Sequence, residues 1–131
     1  LLDRIDIQCE IVPVPFEKIS DTQPSEPSEK IRERVIAARQ QQSKRFENYP
    51  SIYCNAQMTT RLLNEFAQPD EAGLKRLKDA MTRFNLSARA YDRILKVART
   101  IADLDHSDTV QAHHISEAIS YRNLDRENWA G

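Results

Sequence analysis

Apolar positions return every three or four residues along most of the chain, and the pattern is sharpest over residues 86–104. At about 100° per residue, Tyr91, Ile94, Leu95, Ala98, Ile101 and Ala102 gather on one side of a helix. Arg89, Arg93, Lys96 and Arg99 gather on the other, with Arg89 in the first turn and Ser87 as the cap. Such a helix buries a core while offering a cationic edge to something anionic. The plain alternative is a solvated charged face on an ordinary amphipathic helix.

The same reading extends to both sides. Ile5, Ile7, Ile11 and Val12 predict a short strand over 5–12, ended by Pro13 and Pro15 because proline cannot donate to a ladder. Residues 20–28 are polar and proline-bearing, as a linker is. Ser28 opens a long helix to about Phe46, with Glu29 in its first turn. Its apolar edge is thin (Ile31, Val35, Ala38), and Arg32, Arg34, Arg39, Lys44 and Arg45 make it a basic surface helix. Asn55 is expected to cap a helix to about Phe66 that buries Met58, Leu62, Leu63 and Phe66. Pro69, Asp70 and Glu71 start the next, carrying Leu74, Leu77, Met81 and Phe84, and Asn85 with Leu86 breaks it. Thr109 and Val110 are briefly extended before a last helix from about Gln111, which buries Ile115, Ala118 and Ile119. From Asn123 to Gly131, with the lone Trp129, no periodicity is clear. Short connections between helices predict a compact bundle.

A length of 131 residues allows one ordinary domain, or a small domain with a piece of another. Two glycines argue against a turn-rich β architecture and against a glycine-rich phosphate loop. A net charge of -1 exerts no global pull on nucleic acid, so any such binding must come from local patches. Cys9 and Cys54 lack CxxC spacing and read as reduced, partly buried cytosolic thiols. No apolar run approaches the ~18 residues of a membrane helix and no signal peptide is visible, so a cytoplasmic location without a membrane partner is expected. The opening from Leu1 to Ile7 reads as if cut from a larger protein.

Catalytic signatures are missing from the sequence. His113 and His114 are adjacent, so on a helix they are expected to diverge by about 100° and fail to chelate one metal. His106 lies in a loop with no cysteine or acidic cluster nearby in sequence, and no metal site is expected. Neither a Gly-x-Ser-x-Gly elbow nor a Walker A loop occurs. Taken alone, the chain is not expected to be an enzyme.

Several segments in order do carry a family resemblance: Leu2 to Ile7, Ile31 to Val35, Cys54 to Ala56, residues 86–104, and Ile115 to Arg122. Together they closely resemble the C-terminal part of the magnesium-chelatase-like AAA+ ATPases, the ComM/YifB group, over about residues 1–122. The run from Ala88 to Leu95 is the specific match. The resemblance implies a mainly α fold, an AAA+ C-terminal helical lid bundle preceded by a short core-derived strand and a long inserted helix. It divides the chain into the end of the core (1–19), a linker (20–27), the inserted helix and its connection (28–54), the lid (55–122) and a tail (123–131).

The resemblance also implies roles. Arg4 is expected as an arginine finger acting in trans on a neighbour's ATP, and Arg89 as the lid arginine called sensor 2, near the γ-phosphate. Arg93 is a further candidate for phosphate contact. A guanidinium suits both posts, since it forks onto phosphate oxygens and stays charged at any working pH. ATP and Mg2+ are the implied cofactors of the intact parent, with none for this segment alone. Implied partners are neighbouring subunits of a homo-oligomeric ring, a hexamer, and DNA. The Ser87 to Tyr91 run favours the ComM-like branch, whose implied work is DNA helicase or branch-migration activity in uptake and recombination. The chelatase branch implies ATP-driven metal insertion into a porphyrin instead.

Two other classes stay open on the residues themselves. A stand-alone helical nucleic-acid-binding module would use the 32–45 helix and the Arg89 face, with steep salt dependence. A purely structural interaction domain would be indifferent to loss of Arg89. Local ion pairs are the plain alternatives for the arginines: Arg4 with Asp3 or Asp6, and Arg89 with Asp92.

Overall fold

The computed structural model describes residues 4–13, 15–16 and 25–122. From residue 25 to 122 the helices are, in order, α1 (Ser28–Arg45), α2 (Thr60–Phe66), α3 (Glu71–Phe84), α4 (Ala88–Leu104) and α5 (Ala112–Ser120), with a 3-10 turn at Asn55–Gln57. α4 is the central element; α1, α2 and α5 all pack against it, and α3 packs on α5.

Local chemistry sets most of the boundaries. Asp70 caps α3 by accepting the Gly73 N–H at 2.7 Å, and Ser87 caps α4 by accepting the Ala90 N–H at 3.1 Å. α3 stops where Asn85 enters the left-handed region (φ 48), its N–H bonding the Met81 carbonyl. At Gly73 a Cβ would lie 3.0 Å from both Asp70 Oδ1 and Pro69 Cβ. Glycine therefore allows the cap to close there while Pro69 pairs in a parallel bridge with Val110. α2 is capped by Thr59, whose hydroxyl faces the Leu62 N–H at 3.4 Å, and not by Asn55 as the sequence suggested. Asn55 is buried and spent on other partners, described below.

The core joins Leu62 and Leu63 of α2, Leu77 of α3, Ile94 and Leu95 of α4, and Ile115 of α5. Phe66 meets Phe46 and Tyr49 edge to face, with centroids 5.7 and 5.8 Å away, which closes the end of the bundle next to α1. Only Ala38 and Gln42 of α1 are buried, while residues 28–36 are exposed along their whole length.

Residues 5–12, expected as a strand, form no strand and pair in no sheet among the described residues. Alternating β-branched residues need a partner edge, and here the segment lies on helices. Its Gln8 N–H donates to the Tyr121 carbonyl at 2.6 Å, and Arg122 Nη1 donates to the Ile5 carbonyl at 2.7 Å. Cys9 is exposed and Cys54 half-buried, and both are free thiols. The expected linker falls mostly outside the described residues, as do Leu1 to Asp3 and the 123–131 tail.

Candidate functional site

The first half of α4 builds a cationic hollow. Arg89, Arg93 and Lys96 stand at i, i+4 and i+7, so they share one stripe of the helix. The segment fastened by Arg122 and Tyr121 brings Arg4 to the same place. Together with Asp92 these four cations line a shallow depression of about 270 Å³. Arg4 and Arg89 are exposed, and Arg93 and Lys96 are half-buried. Ser87 accepts the Ala90 N–H, and the first-turn amides add positive potential at Arg89.

The local ion pairs take a different form from those expected. Asp6 Oδ1 accepts from Arg93 Nη1 at 2.5 Å, so its partner is Arg93 and not Arg4. No Arg89–Asp92 pair occurs among the described residues, and Asp92 instead accepts from Thr60 Oγ1 at 3.4 Å. Arg89 is thus left facing solvent. Sequence reasoning missed Asp6 as the partner of Arg93, because the pairing spans most of the chain and leaves no local trace.

Arg99 does not belong to the cationic face. It is 3% exposed and donates to the carbonyls of Ser107 (2.6 Å), Asp108 (3.0 Å) and Phe66 (3.3 Å), with Asp103 Oδ1 at 3.1 Å. It acts as a buried clamp on the turn after α4. Burial pushes its guanidinium pKa down, opposed by the Asp103 carboxylate. Arg45, expected on the surface of α1, reaches the same carboxylate with two bonds of 2.9 and 2.6 Å. Asn55 completes the network, accepting from Arg45 (3.0 Å) and donating to Asp103 (2.9 Å) and Thr100 (3.0 Å). Its own N–H is taken by the Gln42 side chain at 2.9 Å.

The histidines also depart from expectation. His113 and His114 converge, with ring centroids 4.0 Å apart and both Nε2 atoms on Asp105 Oδ2, at 3.3 and 2.8 Å. Among the described residues this is where side chains of metal-ligating type come together, their ligand atoms within 4.8 Å of one another. Helical divergence is overcome because His114 folds back to cap α5, its Nδ1 accepting the Gln111 N–H at 2.9 Å. That bond puts the imidazole proton on Nε2, which donates it to Asp105. Both ring nitrogens of His114 are then engaged, one in the cap of α5 and one on Asp105, while His113 reaches Asp105 through Nε2.

Asp105 is held below the usual carboxylate range by the His114 and His113 hydrogen bonds. A depressed carboxylate pKa contributes stability above about pH 4 and loses it as pH falls through the folded value. The melting temperature should therefore fall more steeply below about pH 4 than that of Asp105→Asn. Parallel acid limbs in the two proteins would count against this.

Residues 25–122 match the sequence model of the family described as "Magnesium chelatase, subunit ChlI C-terminal". The chain belongs to that family. Relatives agree: it is 38% identical over 126 residues to "Uncharacterized protein YifB" of Escherichia coli K12, and 32% identical over 126 residues to "Competence protein ComM" of Haemophilus influenzae Rd. An uncharacterized protein of Mycobacterium bovis is 30% identical over 122 residues. The alignments cover 95%, 95% and 93% of this chain but only 24% of each relative, so the chain spans about a quarter of their length. The chain is thus a magnesium-chelatase-like C-terminal segment of the ComM/YifB type, and its mainly helical architecture suits the helical lid implied by that resemblance. No helix among the described residues is long and apolar enough to cross a membrane.

Proposed function

We propose that this magnesium-chelatase-type segment is the lid of an AAA+ ATPase and that its cationic hollow meets the phosphates of ATP. The observation that carries the reading is the gathering of Arg4, from near the start of the sequence, with Arg89, Arg93 and Lys96 of α4 in one hollow at a helix start. Arg89 is the γ-phosphate sensor, Arg4 the arginine finger, and Arg93 a further phosphate contact. Since Arg4 and Arg89 line the same hollow, one polyphosphate meets both; if Arg4 reaches a neighbour's ATP in trans, Arg89 does so too.

Fitness for the cofactor divides by chemistry. The guanidinium set suits polyphosphate oxygens. Mg2+ needs a hard oxygen shell, and the hollow offers only Asp92, already facing Thr60. In this proposal the metal and most of the nucleotide are held by a nucleotide-binding core lying before residue 20. Residues 20–27 are the linker from that core, 28–54 the inserted helix, 55–122 the lid and 123–131 its tail. The assembly is a homo-oligomeric, hexameric ring in the cytoplasm.

Remodelling of DNA during uptake and recombination is the proposed work, supported by the likeness to the competence protein of Haemophilus influenzae. The chelatase-type alternative is supported by the description of the matching family. The chain itself provides the first test. Inorganic triphosphate titrated into it should shift the Arg89 and Arg93 side-chain resonances, and Arg89→Ala should weaken binding severalfold. Equal binding by the two chains would end the reading.

A further inference from the structure

Asp6 does not line the hollow, but it neutralises Arg93, one of the arginines that do. We propose that Asp6 is a tethered counter-anion of the site, a specificity residue that an incoming phosphate must displace from Arg93. The inference rests on the phosphate reading above and adds the class of ligand: a polyphosphate in preference to a monophosphate.

Three observations carry it. Asp6 Oδ1 lies 2.5 Å from Arg93 Nη1, where a phosphate oxygen bound to that guanidinium would sit. The pair is open to solvent, with side-chain exposures of 43% for Asp6 and 30% for Arg93, so a ligand can reach and replace it. The backbone around Asp6 is fixed independently, by Arg122 on the Ile5 carbonyl and by the Gln8 N–H on the Tyr121 carbonyl. The carboxylate is free to swing away while the segment, and Arg4 with it, stays in place.

Charge then decides which ligand succeeds. With Asp6 in place, Arg4, Arg89 and Lys96 are opposed by Asp92, while Arg93 is already neutralised. A small monophosphate meets at most part of this set and must still compete with a carboxylate held at high local concentration. A triphosphate spans several guanidiniums at once, so its contacts outside Arg93 offset the loss of the Asp6 pair. No bond is made or broken; the exchange is one anion for another on the same guanidinium.

Removing the competitor should therefore tighten binding. An exposed ion pair of ordinary strength predicts that Asp6→Asn binds inorganic triphosphate about two- to sixfold more tightly. Asp6→Glu should return affinity toward the wild-type value, and orthophosphate binding should become measurable in Asp6→Asn at concentrations where wild type shows none. Isothermal titration of the full 131-residue chain reads all three. Circular dichroism melts of the same samples verify that Asp6→Asn remains folded. Unchanged or weaker triphosphate binding by folded Asp6→Asn, with binding lost in Arg89→Ala, overturns the counter-anion and leaves the phosphate site standing. Absence of triphosphate binding in both wild type and Asp6→Asn overturns the two together.

Discussion

Asp103→Ala is expected to destabilise the bundle by on the order of 3–5 kcal/mol, a large share of the roughly 5–15 kcal/mol that holds a typical domain folded. The Asp103 side chain is fully buried and faces Arg99 (4% exposed) and Arg45 (12% exposed). Removing the carboxylate strands two guanidiniums with no anion in a setting that penalises charge. It also frees the Asn55 amide that bonds it. Urea melts monitored at 222 nm measure the loss directly. A cost below about 1 kcal/mol would show that water or backbone carbonyls suffice for both arginines. Replacing the whole set by apolar residues, Arg45→Met with Asp103→Leu and Arg99→Met, should recover part of the loss, because no charge is then left behind.

The second large effect lies in activity. In the proposed full-length ATPase, Arg89→Ala is expected to cut ATP turnover by about tenfold or more, toward the ~10³ that arginines supply to phosphoryl transfer. The fold should not suffer. Arg89 is exposed, has no role in the core, and alanine is the better helix former, so the change in stability should stay within about ±0.5 kcal/mol. Arg89→Lys separates two explanations: a need for positive charge is met by lysine, and a need for a planar fork is not. Normal turnover in Arg89→Ala would end the sensor assignment.

Element boundaries were legible in the sequence wherever one residue sets them locally. Asp70, Ser87 and Asn85 each act within a few residues of themselves, and the structure places each where the pattern did. The cationic stripe was legible for the same reason through Arg89, Arg93 and Lys96. Arg99 was not. On a helical wheel it falls about 40° from Leu95 and about 80° from Arg89, so it belongs to the border between faces. Which way a border residue goes depends on what covers it, and here the end of α2 and the 107–108 turn do. Arg45 carries the same lesson from the other side, since a basic residue at the end of a basic helix gives no sign of an acid 58 positions away. Asp6 and the paired histidines were hidden for equivalent reasons. One is matched by chain closure over 87 positions, the other by a side chain folding back against its own helix.

α1 is about 27 Å long at 1.5 Å per residue, yet among the described residues its buried grip lies toward its C-terminal end, through Ala38, Gln42 and Arg45. It therefore projects as a cantilever. A tilt of about 10° about Ala38 carries Ser28, about 15 Å further along, through roughly 3 Å, so a small adjustment in the buried charge network reaches the tip enlarged. The exposed Ile31, Val35 and Ile36 ride on the moving part.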